Sequence, residues 1–65
     1  MTLIEDIQQE CRRVRDLLVH YDDLGPVGTF GATMLRADIT EGEAAIASMD
    51  VVRMMRALVA LRGCQ

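Results

Sequence analysis

Three glycines and the chain's single proline fall within the seven residues Gly25–Gly31, between two long segments that have helical patterning. Glycine adopts the left-handed backbone that ends a helix, and proline cannot continue one. We therefore expect a first helix to end near Leu24 and a second helix to begin with Thr29 as its N-cap. This stretch restricts the first two thirds of the chain to a helical hairpin.

The segment before the glycines places its apolar residues at alternating spacings of three and four, which is the pattern of one helix face. Thr2 and Glu5 have the capping-box spacing for the start of this helix. We expect a helix over Leu3–Leu24, with Cys11 as a buried thiol on its apolar face. The apolar face contains Ile4, Ile7, Cys11, Val14, Leu18 and Tyr21.

A second helix is predicted over about Phe30–Ala47, because its apolar residues follow the same periodicity. Glycine in a helix interior costs about 1 kcal/mol, so Gly42 indicates a close helix crossing that a larger side chain would block. Additional apolar residues such as Met34 widen the apolar surface of this helix beyond one stripe. The predicted core positions are Gly31, Leu35, Ile39, Gly42 and Ile46.

Ser48–Asp50 interrupts the pattern and supplies capping side chains, and a short third helix is predicted over Val51–Leu61. No segment alternates with the period of a strand. The predicted fold class is therefore all-α, with a long helix, a Gly/Pro loop, a long helix and a short helix in one domain, residues 1–65. The third helix is expected to pack through Val51, Val52, Met55, Leu58 and Val59 and to turn Arg53, Arg56, Ala60 and Arg62 outward.

Size makes self-association the expected state of a 65-residue chain. Surface scaling predicts that about 6,300 Å² is buried on folding, and apolar burial then contributes about 95 kcal/mol. Ordering the chain costs about 98 kcal/mol, so the two terms nearly cancel. Because 51% of the residues are hydrophobic, we expect a homodimer or a larger assembly.

Charge and composition limit the cellular compartments and the classes of partner that we expect. A net charge of −3 argues against general nucleic-acid binding, because phosphate backbones favour clustered cations. No apolar run is long enough to span a membrane, and the acidic start lacks a secretory n-region. We therefore expect a cytoplasmic protein without membrane contact. Cys11 and Cys64 match no zinc or redox spacing, and Cys64 is predicted to lie in a frayed tail.

The sequence predicts no enzymatic activity, no cofactor and no metal site. His20 lies close to Asp22 and Asp23, but no serine or second cysteine is nearby for a general base to activate. The carboxylates of the second helix are spaced around its axis, which favours a solvated face over a cation site. These carboxylates are Asp38, Glu41 and Glu43.

The Gly-rich loop is the predicted binding site. Backbone N–H groups at Gly28–Gly31, together with a helix N-terminus, suit an anion such as a phosphate. The rings of Tyr21 and Phe30 could stack on a base. Arg36 could neutralise a phosphate, and Arg53 or Arg56 of a second chain could share the site. The alternative is that the glycines only permit a tight turn between packed helices. The predicted site residues are Tyr21, Gly25, Gly28, Thr29, Phe30, Gly31, Arg36, Arg53 and Arg56.

Taken together, the pattern resembles a group of short phage and prophage proteins with a Gly-Pro-x-Gly-x-Phe-Gly loop. Such proteins often act against host defence. The resemblance implies either sequestration of a cyclic nucleotide or another phosphate-bearing immune signal, or masking of a host defence protein through apolar helix surface. A structural or regulatory accessory without a ligand is the third alternative. The residues that carry the resemblance are Glu10–Val14, Leu17, Leu18, Tyr21, Gly25–Met34, Ala44–Met54 and Leu58.

Overall fold

Three α-helices make up the fold in a computed structural model that describes residues 1–65. The helices pack against one another in a bundle 36 Å long. This arrangement confirms the predicted all-α class and the order of two long helices and one short helix. The elements are α1 (Leu3–Asp23), a 3-10 turn (Gly25–Gly28), α2 (Thr29–Ser48) and α3 (Val51–Arg62).

The boundaries of α1 follow the local signals in the sequence. The Thr2 hydroxyl accepts a hydrogen bond from the Glu5 amide, and the Glu5 carboxylate accepts one from the Thr2 amide, both at 3.1 Å. The bond to the Thr2 backbone lowers the pKa of the Glu5 carboxyl. At the other end Leu24 is the C-cap, and Gly25 takes the left-handed backbone at φ +66°. The predicted capping box and glycine stop are therefore confirmed.

The start of α2 differs from the prediction. Gly28 is the N-cap and Thr29 is the first helical residue, so the prediction that Thr29 caps the helix is wrong. The 3-10 turn continues into α2 with Gly28 in right-handed helical backbone, at φ −89° and ψ −4°. An N-cap side chain needs an extended residue before the helix, and no such residue is present. The Thr29 hydroxyl instead donates to the Gly25 carbonyl at 3.4 Å.

The core confirms the predicted faces of α1 and α2, because Ile7, Val14, Leu35 and Ile39 are buried at the centre of the bundle. One cluster joins side chains from all three helices, with the partly buried Leu3, Ile4, Leu17, Leu18, Tyr21 and Ile46 packed around it. Its members are Ile7, Cys11, Val14, Leu35, Ile39, Ala45, Met54, Ala57, Leu58, Leu61 and Cys64.

The predicted face of α3 is wrong except at Leu58. The helix carries two overlapping apolar stripes, and the one turned into the core consists of Met54, Ala57, Leu58 and Leu61. The other predicted residues, Val51, Val52, Met55 and Val59, are each more than half exposed.

A long-range contact holds the end of α3 against α1. The Arg13 guanidinium on α1 donates to the Leu61 and Cys64 carbonyls at 2.8 and 3.1 Å. The Leu61 carbonyl also accepts from the Cys64 amide at 3.1 Å, so the Arg13 side chain adds to the backbone bonds that hold the end of α3. Cys64, predicted to lie in a frayed tail, is instead buried and belongs to the core cluster.

Gly42 of α2 lies where side chains of α1 and α3 both reach the α2 backbone. A Cβ added there would be 3.1 Å from Leu61 Cδ1, 3.2 Å from Cys11 Sγ and 3.4 Å from Ile7 Cγ2. Those distances are at or below van der Waals contact, so the neighbouring side chains leave no room for a branched residue. The close crossing predicted from the sequence is confirmed.

Gly42→Val should destabilise the protein by about 2 kcal/mol or more, because the added side chain overpacks the crossing. Ala47→Val, at an exposed position of the same helix, is the matched control and should cost only about 0.6 kcal/mol of helix propensity. Urea unfolding followed by circular dichroism measures both values. A Gly42→Val variant no less stable than Ala47→Val would contradict this account of the crossing.

Candidate functional site

The Gly-rich turn packs directly on Tyr21. Gly28 is buried, and a Cβ added there would overlap the Tyr21 carbonyl oxygen. A Cβ added at Gly31 would overlap the Tyr21 ring. The Tyr21 hydroxyl donates to the carbonyl of Gln65, so the ring lies between the turn and the residues after α3. Two of the three glycines therefore allow the start of α2 to approach the end of α1.

The rest of the turn is open to solvent. Nothing lies within 4 Å of a Cβ added at Gly25, and Phe30 is 79% exposed. The Thr29 amide donates to the Pro26 carbonyl, and that donor is therefore engaged within the turn. The structure brings Tyr21, Gly28 and Gly31 into contact and leaves the Phe30 ring on the surface.

Two of the three arginines predicted to neutralise an anion, Arg36 and Arg53, have carboxylate partners, and Arg56 has none. Both Asp22 oxygens accept from Arg36 Nη2 at 2.9 Å. Arg53 holds Glu41 through two bonds of 2.7 and 2.9 Å, and this pairing lowers the pKa of Glu41 and raises that of Arg53. Glu41 lies about 18 Å along α2 from Thr29. Within one chain, Arg53 therefore stands well away from the Gly-rich turn.

Gly28→Ala should destabilise the protein by more than about 2 kcal/mol, because the methyl group overlaps backbone that cannot rotate away. Gly25→Ala is the control within the same turn. It meets no neighbour, but its φ of +66° should cost an alanine about 1 kcal/mol. Urea midpoints rank the two variants, and a larger loss for Gly25→Ala would contradict the packing role of Gly28.

The α2 carboxylates each contact a different partner, and Asp38 is half-buried, whereas Glu41 and Glu43 are exposed as predicted. Glu41 pairs with Arg53, and Glu43 accepts from Arg15 at 2.8 Å. Asp38 accepts a hydrogen bond from the Cys64 thiol at 3.2 Å. Burial, reinforced by the bond to Asp38 and its negative charge, raises the pKa of Cys64 to about 11. Cys64 is therefore a neutral thiol that belongs to the packing of α3 on α2.

The raised pKa of Cys64 predicts a loss of stability in alkaline solution. An unfolded thiol has a pKa of about 8.5, so the unfolded chain loses its proton first as pH rises. The stabilisation that the protonated Cys64 thiol contributes is complete below pH ~8.5. It is lost progressively as the pH rises towards the folded pKa of about 11. Between pH 8 and 10.5, the stability advantage of wild type over Cys64→Ala should fall by on the order of 1–2 kcal/mol. An advantage unchanged across urea titrations in this range would contradict the prediction.

An exposed apolar surface on α3 is the main feature that the sequence reading missed. Val52, Met55 and Val59 lie along one side of the helix, with the Arg56 guanidinium beside them. We call these four residues the α3 face. Met34 of α2 lines a groove together with Val59, and Phe30 precedes Met34 by one turn. In the sequence this face is visible as the second apolar stripe of α3, which periodicity alone does not distinguish from the buried stripe.

No protein-family model, curated protein or solved structure matches the chain. The length and apolar content that a membrane-spanning helix needs are found together in none of the three helices.

Proposed function

We propose that this protein is a small helical binding module that docks a helix of a partner protein on the α3 face. The observation that carries the proposal is that α3 has two apolar stripes and needs only one for the core. Val59 is 71% exposed, and Val52 and Met55 are more than half exposed. Residues at spacings of three and four are the anchors with which helices recognise one another.

Charge identifies the chemistry of the partner. The α3 segment contains three arginines and no carboxylate. Arg53 pairs with Glu41, and Arg62 lies 3.9 Å from Glu10, whereas Arg56 makes no ion pair. An apolar stripe bordered by one unpaired guanidinium complements an amphipathic helix that carries a carboxylate beside its own apolar stripe. We therefore assign an acidic amphipathic helix as the partner.

The available area is sufficient for such a complex. The exposed surface of Val52, Met55 and Val59, with Met34 and Phe30, is on the order of 600 Å², against about 800 Å² buried by each partner in a standard interface. The Arg56 stem adds to this area. A single bound helix could cover this surface.

A second copy of the chain fits the same surface less well. In a two-fold symmetric interface, a residue near the axis meets its own copy. Arg56 lies midway along the α3 face, so symmetric pairing of two α3 helices would bring two guanidinium groups together. Like charges at short range oppose that arrangement. Self-association, which the size of the chain leads us to expect, would therefore be favoured on another surface.

The masking of a host protein, implied by the resemblance to phage proteins, agrees with such a module. Sequestration of a nucleotide at the Gly-rich turn has weaker support. Gly28 and Gly31 are occupied by contact with Tyr21, and Arg36 is already paired with Asp22 through Nη2.

Designed helical peptides test the proposal. One peptide carries a leucine stripe flanked by glutamates, and the matched peptide carries lysines in place of the glutamates. Fluorescence anisotropy at low salt should give at least about tenfold tighter binding of the acidic peptide, and Arg56→Glu should reverse the preference. Val59→Glu should abolish binding of both. Val19→Glu, at an α1 residue that is 59% exposed, is the control and should change neither affinity.

Equal affinities for the two peptides, or no binding of either, would contradict the proposal. Sedimentation velocity provides the second readout. If the wild-type chain is a dimer and Val59→Glu makes it monomeric, the α3 face is occupied by a second copy, and docking of a foreign helix is wrong.

A further inference from the structure

The α1–α2 groove lies between these two helices and is distinct from both the Gly-rich turn and the α3 face. The groove is open to solvent and has a volume of about 450 Å³, within the range of small-molecule sites. Its α1 edge consists of Gln8, Arg12 and Arg15. The remaining lining residues are Cys11, Glu43 and Ile46.

Arginine chemistry distinguishes this groove from the rest of the surface. Among the seven arginines, only Arg12 and Arg56 make no ion pair, and Arg12 lines this groove. Arg15 binds Glu43 through Nη2 alone, at 2.8 Å, so its other guanidinium donors remain available. Two guanidinium groups against one carboxylate leave the groove with a positive charge on an otherwise acidic protein. Guanidinium groups bind phosphate through paired, charge-assisted hydrogen bonds.

The groove also has an apolar part. Cys11 is almost fully buried, and Ile46 is partly buried against the core. Burial raises the pKa of the Cys11 thiol, so this side of the groove is neutral and apolar. A ligand with an uncharged body and an anionic group could therefore place the two parts against different surfaces.

We infer that the α1–α2 groove binds a small organic phosphate, with Arg12 and Arg15 as its anion ligands and Ile46 against its uncharged body. Gln8 precedes Arg12 by one helical turn and adds an amide donor on the same edge. Glu43 competes with the phosphate for Arg15. Binding therefore requires Arg15 to exchange one partner for another. The inference does not rest on the proposed protein-binding function.

Phenyl phosphate and inorganic phosphate are the probes, titrated into the 15N-labelled protein and followed by amide shifts. Phenyl phosphate should shift the amides of the groove with a Kd on the order of 1 mM. Inorganic phosphate lacks the uncharged body and should bind several-fold more weakly. Arg12→Ala and Arg15→Ala should each weaken phenyl phosphate about tenfold, and Glu43→Gln should tighten it, because the competing carboxylate is removed.

Arg36→Ala is the matched control, because this exposed arginine also pairs with a carboxylate but lies outside the groove. It should leave the affinity unchanged. Val59→Glu should also have no effect, which separates this test from that of the α3 face. Shifts confined to other surfaces, or an Arg36→Ala loss equal to that of Arg12→Ala, would overturn the inference. Equal affinities for the two probes would also overturn it, since the apolar part would then play no role.

Discussion

The close approach of three helices at Gly42 is the constraint on which the rest of the structure depends. Leu61, Cys11 and Ile7 all lie within ordinary contact of the position where a Cβ would be. A chain of this length has too few residues for a thick core, so it gains burial by bringing backbones together. The absence of one side chain thereby sets the spacing of all three helices. Leu61, the α3 residue at this crossing, belongs to the stripe of α3 that is buried.

Local signals were sufficient to predict α1 and most of α2. The capping pair Thr2 and Glu5, the left-handed Gly25 and the periodic apolar residues act within one or two turns, and their effects can be read without tertiary information. The face of α3 could not be predicted in this way. Both of its stripes are apolar, and the end of the helix is held by Arg13, which lies nearly fifty residues earlier and donates to the carbonyls there. The buried position of Cys64 could not be predicted for the same reason, because it depends on contacts with residues far away in the sequence.

For the candidate sites, too, the sequence predicted one part and could not predict another. A Gly-rich loop before a helix predicted an anion site from composition alone, but the sequence could not show that Tyr21 would fill the space left by Gly31. Nor could it show which arginines would find carboxylates. Once the helices are placed, Arg36 and Arg53 have acidic partners and Arg12 and Arg56 have none. The surfaces with unused binding capacity are therefore the α1–α2 groove and the α3 face.

The two buried cysteines have a practical consequence for studying how the bundle opens. Cys11 lies at the centre of the helix crossing, whereas Cys64 lies just beyond the end of α3. Each sulfur is almost fully buried, so its reaction with a thiol reagent reports on the opening of the part of the core around it. Labelling rates at the two positions would therefore time the detachment of the α3 end separately from the parting of α1 and α2, without any introduced probe.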